Sequence, residues 1–175
     1  MSKTTATIFG SGRTKAGSAA FRLAEETGRV FAHAGFAIAN GGYGGTMLAL
    51  AKGAAEAGGE TIGVTCRAFG GGPPNEYISR EIIADSLEER LNTLIELGQG
   101  YVVLGGGTGT LLELAMVWEL KNKGFLNGRK PVILLGGFWK PLVELIGGDD
   151  ADSRDYVQQV DDPEQAAKLI FESLS

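Results

Sequence analysis

The sequence is nearly bare of the side chains that most metal and thiol chemistry needs: among 175 residues there is a single cysteine, Cys66, and a single histidine, His33. One cysteine excludes an internal disulfide and fits a reducing compartment. One histidine and one cysteine leave almost no material for a zinc site or a Cys–His nucleophile pair. His33, in a helical pattern before "AGF", reads as a surface or packing residue, and Cys66 as a small hydrophobe at a strand end. The net charge is −5 and there is no run of lysines and arginines. Nucleic acid is therefore excluded as a main partner, because phosphate-backbone binding needs a concentrated basic face. A small anion stays open, since backbone amides bind one without help from net charge. The first residues, "MSKTTATIFGSG", lack the apolar core of a signal peptide, and no apolar stretch approaches transmembrane length. A cytoplasmic protein with no membrane partner is expected.

What is abundant is glycine: 28 residues, clustered behind short apolar runs. Such clusters mark turns that bring the main chain close to something. The apolar runs predict strands at Thr4–Phe9, Phe36–Ala39, Thr61–Thr65, Tyr101–Leu104, Val132–Leu135 and a short one near Tyr156–Val160, with a weaker strand over Glu81–Ile83. Amphipathic patterns predict helices over Gly17–Ala34, Thr46–Ala57, Ser86–Leu97, Leu111–Lys123, Pro141–Ile146 and Pro163–Leu174, the last opened by Asp162 as cap and Pro163 at the first helical position. Uniformly apolar strands alternating with helices describe a parallel sheet covered on both faces. The expected fold is α/β: a three-layer, Rossmann-like, doubly wound parallel sheet forming a single nucleotide-binding domain over residues 1–175. Its ligand crevice would lie at the carboxyl ends of the strands. The stretch Arg67–Arg80, "RAFGGGPPNEYISR", is a long loop suited to cover that crevice.

Three glycine-rich segments follow strands and should open on one side: "GSGRTKAG", "NGGYGGT" and "GGGTGTLLE". None is a familiar nucleotide fingerprint. Lys15 stands where a dinucleotide motif has its third glycine, and Asn40 where a carboxylate would meet the ribose. The triphosphate-binding loop G-x-x-x-x-G-K-[ST] is missing as well. Three converging backbone nests suggest a site for a phosphorylated ligand. The third segment, Gly105 to Glu113, has two readings. Thr110-x-x-Glu113 matches a helix capping box, worth ~1 kcal/mol. The four glycines go beyond what a capped helix requires; with the free amides of the first turn they suit an anion, which would leave Glu113 beside the bound phosphate and its sugar. Arg90 is also ambiguous. It flanks the stripe Leu87, Leu91, Leu94 and Ile95, and taken alone it reads as a surface pair with Glu88 or Glu89 rather than a group at the crevice.

"GGGTGTLLE" resembles the PGGxGTxxE signature of the LOG family, the phosphoribohydrolases that act on cytokinin nucleotides and were once described as possible lysine decarboxylases. Arg90 precedes Gly105 by fifteen residues, the spacing of that family's arginine from its signature. "NGGYGGTMLALAKGAAEAGGETIGV" is similar to the family's second-loop segment, and "IFGSGR" to its first. The likeness runs from about Thr4 to Gly124. It departs at Gly105, where the motif has proline, at Leu112, at Ser86 to Glu89 and Leu91 around the arginine, and at Asn40 and Leu48 in the second loop.

The resemblance implies cleavage of the N-glycosidic bond of a nucleoside 5′-monophosphate, AMP or a cytokinin riboside monophosphate, to free base and ribose 5-phosphate. It makes Glu113 and Arg90 the catalytic pair. Gly106, Gly107, Thr108, Gly109 and Thr110 would hold the phosphate, Gly41, Gly42 and Thr46 would line the opposite wall, and Gly10 and Ser11, with Arg13 as a further candidate, would close the first loop. No metal or cofactor is implied, and nothing marks a lysine for pyridoxal phosphate. The family also implies a homodimer through the helix at 111–123, which is apolar around most of its circumference. The similar molybdenum-cofactor carrier proteins supply the alternative: a non-catalytic nucleotide or pterin-cofactor binding protein.

Overall fold

A computed structural model describes residues 3–70, 72–126 and 130–175. Its strands are β1 (Thr5–Phe9), β2 (Ala37–Asn40), β3 (Thr61–Cys66), β4 (Arg80–Ala84), β5 (Tyr101–Val103), β6 (Val132–Leu135) and β7 (Gln158–Val160). They form one sheet in the order β4-β3-β2-β1-β5-β6-β7, with every neighbouring pair parallel. The helices are α1 (Ala19–His33), α2 (Thr46–Glu56), α3 (Leu87–Leu97), α4 (Thr108–Asn122), α5 (Lys140–Asp149) and α6 (Pro163–Ser173). The doubly wound α/β reading is what the molecule adopts.

Strands buried on both faces explain the continuous apolar runs, because alternate side chains feed two separate cores. Ala6, Ile8, Ile38 and Val102 join Phe31, Leu50 and Ile170 under α1, α2 and α6. Phe9, Val64, Tyr101 and Val103 join Leu94, Leu114 and Trp118 under α3, α4 and α5. α1 and α2 cross so closely that a Cβ on Gly28 would overlap the Leu50 carbonyl, and one on Gly53 the Glu25 carbonyl. β4 is one of the two edge strands and mostly exposed, which is why its sequence carries a weak strand signal.

Local rules set the helix starts. Ser18 caps α1 through the Phe21 amide, and Asp162 caps α6 through the Gln165 amide at 2.7 Å, followed by Pro163. Ser86 caps α3 through the Glu89 amide at 3.1 Å, while the Glu89 carboxylate reaches back to the Asp85 amide at 2.7 Å. The expected strand at Tyr156–Val160 is shorter, since 151–156 winds into a 3₁₀ turn first. Among the described residues no helix is long and apolar enough to cross a membrane.

Candidate active site

β1 has β2 on one side and β5 on the other, so the chain leaves the carboxyl ends of β1 and β5 toward opposite faces. This is the switch point at which an open parallel sheet leaves a crevice. A cleft of about 810 Å³ opens there, lined by Gly10 to Arg13 after β1, Gly107 to Thr110 with Leu112 and Glu113 on α4, and Leu87, Arg90 and Leu91 on α3. Tyr43, Met47 and Phe69 complete its wall.

The capping-box reading of Thr110 and Glu113 is overturned. α4 begins three residues earlier than the apolar pattern suggested, with Gly107 as its N-cap and no side chain capping it. Thr110 is thus inside the helix and buried, and Glu113 sits one turn in, facing the cleft. The first-turn amides from Gly107 onward have no intrahelical acceptor, and the positive end of the helix dipole points where they do. The Ser-x-x-Glu capping arrangement is used at α3 instead.

The surface-pair reading of Arg90 is overturned too. Its side chain is only 9% exposed: Nε donates to the Val64 carbonyl at 2.7 Å, and Nη1 lies 3.7 Å from Glu113 Oε1. The guanidinium carbon sits 5.7 Å from the Tyr43 ring centre and 5.4 Å from that of Phe69. The buried stripe of α3 is Arg90, Leu91, Leu94 and Ile95, and Leu87 turns out toward the cleft. Gly41 makes room for this placement, because a Cβ there would overlap Arg90 Nη2. Burial pushes the Glu113 carboxyl up to about 7, against the opposing pull of the Arg90 guanidinium. Desolvation outweighs the charge partner, leaving a carboxylate that titrates near neutrality.

The other expected residues divide into wall and support. Gly10, Ser11, Gly107, Thr108, Gly109 and Thr110 line the cleft with Arg13. Gly41, Gly42 and Thr46, expected on the opposite wall, lie beneath it and are buried. Thr46 bonds the Ser11 carbonyl through both its amide, at 2.8 Å, and its hydroxyl, at 3.2 Å, tying the first two loops together. The Gly42 amide donates to Asn40 Oδ1 at 2.7 Å, which explains why asparagine rather than glycine ends β2. Gly106 is a close-packing position, since a Cβ there would overlap the Thr110 hydroxyl. Gly105 stands at the motif's proline because a Cβ would already lie 3.0 Å from the Phe138 ring. Next to Phe138, the Trp139 indole donates to the Leu104 carbonyl at 2.9 Å and holds the end of β5.

Sequence reasoning missed Tyr43, Met47 and Phe69. Tyr43 accepts from the Cys66 amide at 2.8 Å and donates to the Cys66 carbonyl at 3.3 Å, so it fixes the end of β3. Asn75 Nδ2 donates to the Tyr43 carbonyl at 2.8 Å and holds the long loop against the second glycine segment. Of that loop Gly71 lies outside the described residues, and Phe69 reaches the cleft. The signal was local: "GGYGG" places one aromatic in the middle of a nest, an odd residue for a turn that only reverses the chain.

A family described as "possible lysine decarboxylase" matches residues 47–170. The chain belongs to this family, the LOG family of the signature above. Among its relatives is a cytokinin riboside 5′-monophosphate phosphoribohydrolase of Rhodococcoides fascians, 29% identical over 145 residues, which are 80% of this chain and 72% of that one. A protein of the same name from Mycobacterium tuberculosis is 31% identical over 124 residues, 65% of this chain and 60% of that one. Two solved structures are similar over nearly the whole length. The molybdenum cofactor binding protein of Rippkaea orientalis has a TM-score of 0.80 at 25% identity, covering 100% of this chain and 99% of that one. The molybdenum cofactor carrier protein of Chlamydomonas reinhardtii has a TM-score of 0.77 at 29% identity, covering 99% of both. This LOG family member therefore has named phosphoribohydrolases among its sequence relatives and a molybdenum cofactor binding protein and a molybdenum cofactor carrier protein among its structural neighbours.

Proposed function

We propose that the cleft hydrolyses the N-glycosidic bond of a nucleoside 5′-monophosphate, giving free base and ribose 5-phosphate. The observation that carries this reading is the Arg90–Glu113 pair, buried on one wall one turn away from the uncapped N-terminus of α4. The phosphate lies on the amides of Gly107 to Thr110, with the Thr108 and Thr110 hydroxyls and the Gly10–Ser11 turn beside it. This sets the pentose against Glu113. Glycosidic cleavage builds positive charge on the sugar, which a nearby carboxylate stabilises in a dry site better than in water. Ionised Glu113 also accepts a proton from the water that attacks the anomeric carbon as the bond to the base breaks; the leaving nitrogen takes up a proton from solvent, and Glu113 returns its own to solvent. Arg90 donates a hydrogen bond toward the departing base and keeps Glu113 charged enough to act. Decarboxylation of lysine is not supported, because pyridoxal chemistry needs a Schiff-base lysine and none lines the cleft among the described residues.

The test is incubation with AMP and chromatography of the products. Adenine and ribose 5-phosphate should appear with the native protein and vanish with Glu113→Gln, while AMP still raises the melting temperature of that variant. The whole-length likeness to cofactor carriers favours one alternative, a non-catalytic nucleotide or pterin-cofactor binding protein. It predicts stabilisation by ligand with no base released from any monophosphate.

We also propose that two copies associate through the outer face of α4 and the adjoining α5 region. α4 turns Leu114, Val117 and Trp118 inward, yet leaves Leu111 exposed. Phe125, Phe138, Leu145 and Ile146 are exposed on the neighbouring segments. Apolar side chains so placed are better covered by a second subunit than by water.

A further inference from the structure

Phe69 is large, apolar and 50% exposed, and its ring is part of the cleft wall. It is not on a loose tip. It ends the 3₁₀ turn Arg67–Phe69 that leaves β3, and this turn is held at its start. Behind it, the Tyr43 hydroxyl holds both backbone groups of Cys66. Beside it, Arg67 pairs with Asp85 at 2.5 Å. The ring lies 6.2 Å from that of Tyr43, tilted by 42°, with the Arg90 guanidinium 5.4 Å from its centre. The exposed part of the ring lines the same cleft as the α4 amides, and Leu87, Leu91 and Leu112 are apolar members of that lining. The cleft thus offers amides for an anion, a charged pair for the sugar, and an aromatic surface that the proposed chemistry leaves unused.

We infer that Phe69 is the stacking platform for the leaving base and sets which nucleotides bind. The inference rests on the nucleotide reading of the cleft and deepens it. It makes Phe69 the residue that ranks purine bases ahead of pyrimidines, because a larger ring system covers more of the platform. Stacking of a base on an aromatic side chain is worth roughly tenfold in affinity.

The experiment is calorimetric titration of AMP, UMP and ribose 5-phosphate into Glu113→Gln, which holds AMP without consuming it, and into the same protein carrying Phe69→Ala, Phe69→Leu or Phe69→Trp, each checked for an unchanged melting curve. Phe69→Leu keeps apolar volume over Arg90 and removes the ring. The expected result is a roughly tenfold loss of AMP affinity in the Ala and Leu variants, a smaller loss for UMP, none for ribose 5-phosphate, and retention of AMP in the Trp variant. Equal weakening of AMP and ribose 5-phosphate would overturn the platform and make Phe69 a support for Arg90. Unchanged AMP affinity in the Ala and Leu variants overturns it too, with the nucleotide reading intact. If Glu113→Gln binds neither AMP nor ribose 5-phosphate, the nucleotide reading falls and takes the platform with it.

Discussion

Glu113 is a carboxyl that the fold keeps mostly out of water and beside one cation, and burial has the larger effect on it. Two pH effects follow. The proposed hydrolysis needs the ionised form, so its rate should rise with pH through about 7 and fall about tenfold per unit well below it. Stability runs the other way. A carboxyl with a raised titration point contributes stability that is full below its ordinary value of 4.5 and lost as the pH climbs through about 7. Thermal melts at pH 5 and pH 8 should therefore move in favour of Glu113→Gln by roughly 3–6 °C over that interval. A pH–rate profile with no limb near neutrality, or parallel melting curves for the two proteins, would show that Glu113 is not so perturbed.

At the scale of elements, the strands and most helix starts are written in local pattern, and Ser18, Ser86 and Asp162 each take the capping role their residue type favours. α4 was harder to read. Its first turn, Thr108 to Thr110, has no apolar period, so the pattern became visible only at Leu111, and Thr110 was free to look like a cap. Arg90 was legible only through its likeness to a family signature. Nothing in "SLEERLNTL" says that an arginine will point inward, because that depends on the Val64 carbonyl, Gly41 and Glu113 arriving from three other segments. An uncapped helix start also implies a trade. Gly107 has an extended backbone and open space around its missing side chain, so Gly107→Asp fits there without strain. It should cap α4 and stabilise the fold by ~1 kcal/mol, while placing a negative charge where the phosphate is to sit. The expected outcome is a melting temperature a few degrees higher, with AMP affinity lowered at least tenfold in the same titration.

For the whole molecule, the parallel sheet needs both faces covered, and the helices among the described residues do this over two buried apolar cores. What the chain does not cover is the outer apolar surface around α4 and α5. Size-exclusion chromatography at micromolar concentration should give a dimer, and Leu145→Asp, a change at a side chain 72% exposed, should give a folded monomer with an unchanged melting transition at low concentration. A native monomer would remove the proposed association. Finally, Trp139 is bound to the Leu104 carbonyl, and its neighbour Phe138 lies edge-on to it at 4.8 Å and against Gly105. An intrinsic fluorophore is thereby anchored at the end of β5, next to the loop proposed to take the phosphate. Phosphate binding there should change the tryptophan emission, and Trp139→Phe should remove that change while Trp118 still emits.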